Sequence, residues 1–433
     1  MSNVDGLRSS RFTISCARVW GVGQGLRTCP EDGEDGGEEG KIIFYSFFAV
    51  FYPAGHMSSN LSPEYGISLS PEAFEERWLA LHKQLFASAE YAFNDVCTHV
   101  LAPQPDMAQF DHSFIHDAVG NLHLYYGTGD QRKQPEMHRC LQAKDWEGAA
   151  ASCCEPGNGH AMGPNLFELS FQEHVFLEPQ GRFDMLTRAV CSLFRHEGRY
   201  GMLYDVRGVT DEDEIYIGMS LAWSQDLASW ELGGTNPVIS PPAWATARST
   251  CKDPHVMFHD GVYLIYYIVM DQAGYCCITL VTTPDWETFT DEGAVLRLPP
   301  NMRGTMGIES PGVVLRDGLW HLFFTYGPGL WHAVSASPTA FTGERQATFG
   351  VGRGCYLMGP FHATEVIEDD GRWWLTTDRK EETRRLNREA GRLCYRGSYE
   401  DEKTLHEGLY AAEVVWQGDQ PLLRKPPEEG SKV

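Results

Sequence analysis

The sequence contains no apolar run long enough to cross a bilayer as a helix. Its longest apolar run, residues 42–53 (IIFYSFFAVFYP), has 12 residues, whereas a membrane-spanning helix needs about 20. The N-terminal residues also lack a compact apolar segment followed by a small-residue cleavage site, the pattern of a secretory signal peptide. We therefore expect a cytoplasmic protein that does not span a membrane, and we interpret residues 42–53 as a buried strand.

Basic residues are scarce in this chain. It has 35 Lys and Arg against 59 Asp and Glu, which gives a formal net charge of −24. This balance opposes binding to nucleic-acid phosphates and to anionic membranes, so a neutral or cationic partner fits better. The 12 cysteines form no C-x-x-C motif and no regular disulfide framework. They are therefore predicted to be buried free thiols in a reducing compartment.

Motifs of several enzyme classes are missing as well. The sequence has no His-Glu-x-x-His and no Gly-x-Ser-x-Gly, and its histidines show no metal-ligand spacing. The segment GVGQG at residues 21–25 lacks the third glycine and the strand-helix context of a dinucleotide site. These absences argue against zinc peptidases, serine hydrolases and nucleotide-dependent enzymes, and we expect no cofactor.

Residues 1–95 are predicted to form an N-terminal extension. Residues 31–40 (EDGEDGGEEG) are charged and glycine-rich, which favours a solvated loop. Ser70-Pro71-Glu72 has the capping hydroxyl, the proline and the acid of a helix start, so we predict a helix over residues 71–93. Its apolar face would dock on the main domain through four side chains: Phe74, Trp78, Leu81 and Leu85.

An acidic residue and a glycine at a tight turn, followed by an aromatic strand, occur five times. The copies are HDAVGNLHLYY, HEGRYGMLYD, HDGVYLIYY, RDGLWHLFF and DDGRWWLTT. Each predicts a β-hairpin whose acid has a structural role in the turn. Four copies are followed by a second pattern, an apolar strand entering a polar turn: CLQAKDWEG, LAWSQDLASW, LVTTPDWETF and AVSASPTAF.

Five units of about four strands predict an all-β fold, a five-bladed β-propeller. The turn-to-turn spacing decreases irregularly from 80 to 53 residues, which disfavours a WD-type array and favours a propeller with long loops in its early blades. The predicted domain covers residues 96–420, and residues 421–433 form a C-terminal tail.

Reactive side chains precede four of the five turns. Asp111, Asp253, Glu309 and His362 each lie six to eight positions before the turn acid, at the start of the innermost strand of a unit. Equivalent ends of the inner strands meet at the propeller axis, so we expect the three carboxyl groups within roughly 10 Å of one another. Glycoside cleavage needs one acid to protonate the leaving oxygen and one carboxylate near the anomeric carbon. A third carboxyl group raises the pKa of a proton donor by like-charge repulsion.

These segments resemble motifs of the five-bladed propeller glycosidases, the group that includes glycoside hydrolase family 43 and the invertases and levansucrases of families 32 and 68. CKDPHVMFHDGVYLIYY resembles their third-blade Asp-Pro motif, GIESPGVVLRDG their fourth-blade Glu-x-Pro motif, and FDHSFIHD and FHATEVIEDDGRWWL their first- and fifth-blade segments. The resemblance covers about residues 96–400. It implies that Asp111 is the general base or nucleophile, Asp253 the pKa modulator and transition-state stabiliser, and Glu309 the general acid.

Four further residues are candidates for substrate contacts: His112, His255, Trp331 and His362. Relatives use the histidine that corresponds to His362 to contact substrate or a metal-bound water cluster. The resemblance therefore implies a structural calcium ion or a water cluster near His362, and no other cofactor is expected. His112 stands where relatives have proline, and this leaves Asp106 open as an alternative to Asp111.

Three functions remain compatible with the sequence. The first is a glycosidase or transglycosidase that acts on a furanoside or a small pyranoside. The second is a glycoside phosphorylase, which would need a basic cluster at the channel mouth, with Arg248, Lys252 and Arg379 as candidates. The third is a non-catalytic, sugar-binding propeller. A carbohydrate is the expected partner, and the oligomeric state is left open, with a homodimer through the N-terminal extension as one option.

Overall fold

The computed structural model describes residues 97–105, 107, 109–246, 251–298, 308–326, 329–341, 362–379 and 408–424. The predicted N-terminal helix, its four docking residues, the strand at residues 42–52 and Asp106 lie outside these residues. No helix in the described part of the chain is long and apolar enough to cross a membrane.

The strands form five antiparallel sheets around a common axis, so the predicted five-bladed β-propeller is confirmed. Blade 1 contains β2 (Phe110–His116), β3 (Leu122–Thr128), β4 (Gly157–Gly163) and β5 (Ser170–Phe171). Blade 2 contains β6 (Thr187–His196), β7 (Arg199–Val209), β8 (Ile215–Ser224) and β9 (Glu231–Leu232). Blade 3 contains β10 (Lys252–His259), β11 (Val262–Met270), β12 (Cys276–Thr283) and β13 (Thr290–Leu298). Blade 4 contains β14 (Ile308–Arg316), β15 (Leu319–Tyr326) and β16 (Gly329–Ser335).

Blade 5 joins the two ends of the described chain. It contains β17 (His362–Asp369), β18 (Arg372–Arg379) and β19 (Gly408–Gln417), and the outer edge of β19 pairs with both β1 (Thr98–Leu101) and β20 (Gln420–Arg424). The early strand β1 thus closes the ring by adding to the last blade. A tight turn at Gly418 lets β20 pair with β19 as far as Arg424.

Strand alternation explains how each blade packs against two neighbours. Successive side chains of a strand point to opposite faces of its sheet. On β11, Tyr263, Ile265 and Tyr267 pack towards blade 2, whereas Leu264 and Tyr266 pack towards blade 4. Equivalent apolar clusters lie between blades 4 and 5, 5 and 1, and 1 and 2. The core is therefore a closed ring of five interblade layers.

The repeated acidic residues lie in turns, as predicted. In four blades the acid and the following glycine both have positive φ, for example 49° at Asp260 and 85° at Gly261. Two consecutive residues of this kind form the type I′ turn that suits a two-residue hairpin. In blade 1 the turn is longer, and the Asp117 carboxylate accepts hydrogen bonds from the backbone N–H groups of Val119 and Asn121.

One predicted strand is helical. The segment CLQAKDWEG, residues 140–148, belongs to α1 (Gln134–Ala143) and α2 (Trp146–Ala151), which are inserted between β3 and β4. Pro135 lies in the first turn of α1, Lys144 ends this helix in the left-handed region, and the Asp145 side chain caps α2 by accepting from the Gly148 N–H. These local signals outweigh the similarity to the strand-turn segments of the other blades.

Candidate functional site

Each inner strand begins with the same backbone irregularity. One residue near the start of each has a φ between 40° and 61°, and the pairing with the next strand shifts register there: Asp111, Val190, Asp253, Ser310 and Ala363. A bulge of this kind bends a strand and redirects its side chains. The five bulges thereby turn the first residues of all five inner strands towards one cavity on the axis.

This central cavity is small and polar. Its volume is about 40 Å³, and each enclosed water needs roughly 10–15 Å³. The space therefore suits a few water molecules rather than a sugar ring. Asp111 and Asp253 line the cavity, together with the residue that follows Glu309, Ser310. A sugar that reaches these groups would bind above the cavity, at the mouth of the channel.

Lys252 bridges two of the three predicted carboxyl groups. Its Nζ lies 2.9 Å from Glu309 Oε1 and 3.3 Å from Asp253 Oδ1. The carboxyl groups of Asp253 and Glu309 therefore lie within the limit of roughly 10 Å that was predicted for them. Burial opposes the charged form of Lys252, but the carboxylates of Asp253, Glu309 and Asp111 outweigh it and raise the pKa of the ammonium group. Lys252 is thus a permanent positive charge among three acids.

Backbone amides hold Asp253 in place. Its Oδ2 accepts a hydrogen bond of 3.0 Å from the N–H of Ser310, on the next blade. Its own N–H donates to both carboxyl oxygens of Asp205, at 3.2 and 3.1 Å. Asp253 and Glu309 are 5% and 6% exposed, whereas Asp111 is only partly buried. Asp111 is therefore the most accessible of the three acids.

Two of the predicted substrate-contact histidines line the cavity. His112 Nε2 is 2.7 Å from Thr376 Oγ1, and His255 Nε2 is 2.9 Å from the Val313 carbonyl oxygen. Burial lowers the pKa of His255 to about 4. His255 is therefore neutral at physiological pH, and its Nε2–H donates a hydrogen bond to that carbonyl oxygen.

Trp331, the remaining predicted substrate contact whose side chain the structure describes, is absent from the cavity lining. It is 3% exposed and belongs to the apolar core between blades 3 and 4. The segment around it is the strand β16, so its side chain alternates into an interblade layer instead of projecting from a loop. The side chains of His362 and Arg379, and the whole of Arg248, lie outside the described residues. Of the three basic candidates for phosphate binding, only Lys252 has a described side chain, and its charge is balanced by carboxylates.

Sequence reasoning missed two acids at the channel. Asp205 lies on β7, the second strand of blade 2, and bonds to the Asp253 amide. Burial, followed by the proximity of the Asp253 carboxyl, raises the pKa of Asp205 well above its usual value. Glu365 lines the cavity from β17. The segment His362-Ala363-Thr364-Glu365 indicated the correct region, but the pattern favoured His362 as the site residue instead of the acid three residues later.

Within the described residues, no group of three or more His, Cys, Asp or Glu side chains could hold a metal ion. All eight cysteines of these residues are free and buried, as predicted. Cys191 lines the cavity, and burial raises the pKa of its thiol well above the usual value. It is therefore a thiol rather than a thiolate at neutral pH.

The sequence matches no protein-family model and no curated protein. Solved structures, by contrast, share the fold. The GH32 β-fructofuranosidase of Bombyx mori aligns with a TM-score of 0.52 at 14% identity, over 82% of this chain and 70% of that one. A thermostable family-43 glycoside hydrolase aligns with a TM-score of 0.53 at 11% identity, over 78% of this chain and 100% of that one.

The sucrose-6-phosphate hydrolase of Lactobacillus gasseri aligns with a TM-score of 0.51 at 14% identity, over 81% of this chain and 66% of that one. Identities this low establish a similarity of fold. The chain therefore has the five-bladed β-propeller fold of family-32 and family-43 glycoside hydrolases.

Proposed function

We propose that this protein is a glycoside hydrolase or transglycosidase that cleaves a furanoside or a small pyranoside. The observation that carries the proposal is the meeting of Asp111, Asp253 and Glu309, from three different blades, around the Lys252 ammonium group at one end of the channel. Three acids on separate strands converge there through the same type of bulge. The shared fold adds support, because its solved examples include a β-fructofuranosidase and a family-43 glycoside hydrolase.

Glu309 is the proposed general acid. In its protonated form it donates a proton to the glycosidic oxygen as the bond to the leaving group breaks, and it returns to the carboxylate that pairs with Lys252. The Lys252 ammonium group lies 2.9 Å from Glu309 Oε1 and stabilises the negative charge that Glu309 carries after it has given up its proton. Lys252 therefore favours the product side of the proton transfer.

Asp111 is the proposed group that acts at the anomeric carbon, either directly or through a water molecule. Its greater accessibility supports this role, because an attacking group must reach the substrate at the mouth of the channel. Asp253 is less suited to attack, since one of its oxygens is bonded to the Ser310 amide and the other lies beside Lys252. We assign to Asp253 the stabilisation of positive charge on the sugar ring and the orientation of the other groups.

The experiment is a leaving-group comparison on Glu309→Gln. After a screen of nitrophenyl glycosides has identified a substrate, we expect turnover of a glycoside with a poor leaving group to fall by roughly 10²- to 10⁴-fold. Activated aryl glycosides should be spared, because their leaving group needs little protonation. Asp111→Asn should abolish both activities.

Asp260→Asn is the matched control, since it changes an exposed turn acid of the same propeller and asparagine also tolerates the left-handed conformation. It should retain activity on both substrates. Equal losses of Glu309→Gln on good and poor leaving groups would remove Glu309 from the role of general acid.

A further inference from the structure

A second layer of channel residues lies just beyond the bulges. Two positions after each bulge residue, the inner strands carry Ser113, Ser192, His255, Gly312 and Glu365. All of these except Gly312 line the central cavity. They form a ring with one residue from each blade.

Side chains of this ring bond to the backbone of the next blade. Ser113 Oγ accepts from the Leu193 N–H at 3.1 Å, and Ser192 Oγ accepts from the Val256 N–H at 2.9 Å. His255 bonds to the Val313 carbonyl oxygen on blade 4. In each case the partner lies three positions after the bulge of the following blade. The bonds therefore tie blade 1 to 2, 2 to 3, and 3 to 4.

Glu365 occupies the corresponding position in the last blade. It lines the cavity together with Ser113, and β17 packs against β2. Its carboxyl group faces the hydroxyl of Ser113 and the N–H of Phe114, which lies three positions after the Asp111 bulge. Because Ser113 bonds to Leu193, Glu365 lies where blades 5, 1 and 2 meet. Its Oε2 is inaccessible to solvent and has no hydrogen-bond partner in the structure.

We propose that Glu365 is a positioning residue of the candidate active site: by lying against Ser113 of β2 in this ring, it holds Asp111 in place relative to Asp253 and Glu309. The inference rests on the proposed glycosidase function. Asp111 lies two residues before Ser113 and three before Phe114, so a shift of these two anchor points moves the proposed attacking carboxylate. Displacements of about 1 Å in a catalytic site can reduce the rate by 10²-fold.

The protonation state of Glu365 adds a measurable consequence. Burial raises the pKa of this carboxyl to about 8, against the smaller opposing effects of the Phe114 N–H and the Ser113 hydroxyl. Glu365 is therefore a neutral acid at pH 7 and becomes a carboxylate above pH 8. The new charge would lie on a buried carboxyl group whose Oε2 has no hydrogen-bond partner.

Other titratable or charged groups share this environment. They are Asp111 and His112 on β2, Cys191 on β6, Asp205 on β7, Lys252, Asp253 and His255 on β10, Glu309 on β14, and Asp378 on β18. The pKa of His255 is lowered to about 4, and those of Cys191 and Lys252 are raised. Asp205 also has a raised pKa, so a variant of Glu365 itself is needed to assign an alkaline transition.

The experiment compares Glu365→Gln, which keeps a hydrogen-bond acceptor but cannot ionise, with Glu365→Ala. Glu368→Gln is the matched control, because it removes an exposed acid from the same strand. We expect Glu365→Ala to lose at least roughly tenfold in kcat, with KM changed by less than about threefold, and Glu365→Gln to recover most of that loss at pH 6.5. The wild type and Glu368→Gln should lose activity above pH 8, whereas Glu365→Gln should not.

A stability measurement separates this inference from the proposed function. An acid whose pKa is raised on folding stabilises the native state below its unfolded pKa, near 4.3, and this contribution is lost as the pH rises towards the folded value. The urea midpoint of the wild type should therefore fall relative to that of Glu365→Gln between about pH 4.5 and 8. This readout needs no substrate.

If the difference in urea midpoint between the wild type and Glu365→Gln does not change with pH, Glu365 is not a neutral acid at pH 7. This conclusion would hold even if the leaving-group test on Glu309 succeeds. A folded Glu365→Ala variant with wild-type kcat would overturn the positioning role. An unchanged loss of activity above pH 8 in Glu365→Gln would assign that transition to another group.

Discussion

Lys252→Met tests whether the site is held together by one buried cation. The substitution keeps a long, unbranched side chain but removes the charge that contacts Glu309 at 2.9 Å and Asp253 at 3.3 Å. At about 3 Å and an effective dielectric constant near 20, each contact has a Coulomb energy of roughly 5 kcal/mol, which the desolvation of the charges largely offsets. Removal of one partner leaves buried carboxylates without a counter-ion and typically costs about 3–5 kcal/mol.

The expected loss depends on pH in a defined direction. Because the pKa of Lys252 is raised on folding, its stabilisation is fully present below the unfolded pKa of about 10.4 and is lost only at higher pH. At pH 7 the variant should therefore show the whole deficit.

Urea unfolding, followed by tryptophan fluorescence at pH 7, measures this deficit. Lys133→Met is the control, since Lys133 is an exposed lysine whose replacement should change stability by no more than about 0.5 kcal/mol. If Lys252→Met has the same urea midpoint as Lys133→Met at pH 7, the buried ion pairs do not stabilise the fold as argued.

Two further predictions concern stability away from the site. His160 stacks on Tyr125, and burial lowers the pKa of its imidazole to about 4. Its contribution to the free energy of unfolding is therefore present above pH 6.5 and is lost, by about 3 kcal/mol, as the pH falls towards 4. The wild type should lose stability relative to His160→Gln across that window, and parallel curves would contradict the assignment. Gly261 has a φ of 85°, and a Cβ atom at this position would meet only open space. In thermal melts, Gly261→Ala should therefore lose roughly 1 kcal/mol of stability from backbone strain alone. Asp260→Asn should be nearly neutral in the same melts.

Local patterns were sufficient to predict the hairpins and the architecture. An acidic residue before a glycine favours the left-handed turn that Asp260-Gly261 adopts, and an aromatic strand after it can be buried on both faces. Five copies of one short-range signal imply five similar units, and such units bury their faces only by packing against one another. The positions of Asp111, Asp253 and Glu309 near the inner-strand starts followed from the same repeat.

The electrostatics of the site depend on contacts between blades. Lys252 directly precedes the Asp-Pro motif, and the register of β10 shifts at Asp253. With this bulge, the side chains of Lys252 and Asp253 both lie near Glu309 of the next blade. Asp205 comes from a second strand, so no position relative to the hairpin turn marked it. Partners across blades are separated by 48 to 57 residues, beyond the range of any sequence pattern.

Packing between strands and between blades also determined whether a side chain lies at the channel or in the core. A shift of one residue along a strand moves a side chain to the opposite face of the sheet, so the motif around Trp331 was compatible with either the channel or the core until the pairing of β15 with β16 placed it in the core. The closure of the ring by β1 and by Glu365 has the same origin. Both contacts join chain segments more than 250 residues apart, and only the completed circle of blades brings them together.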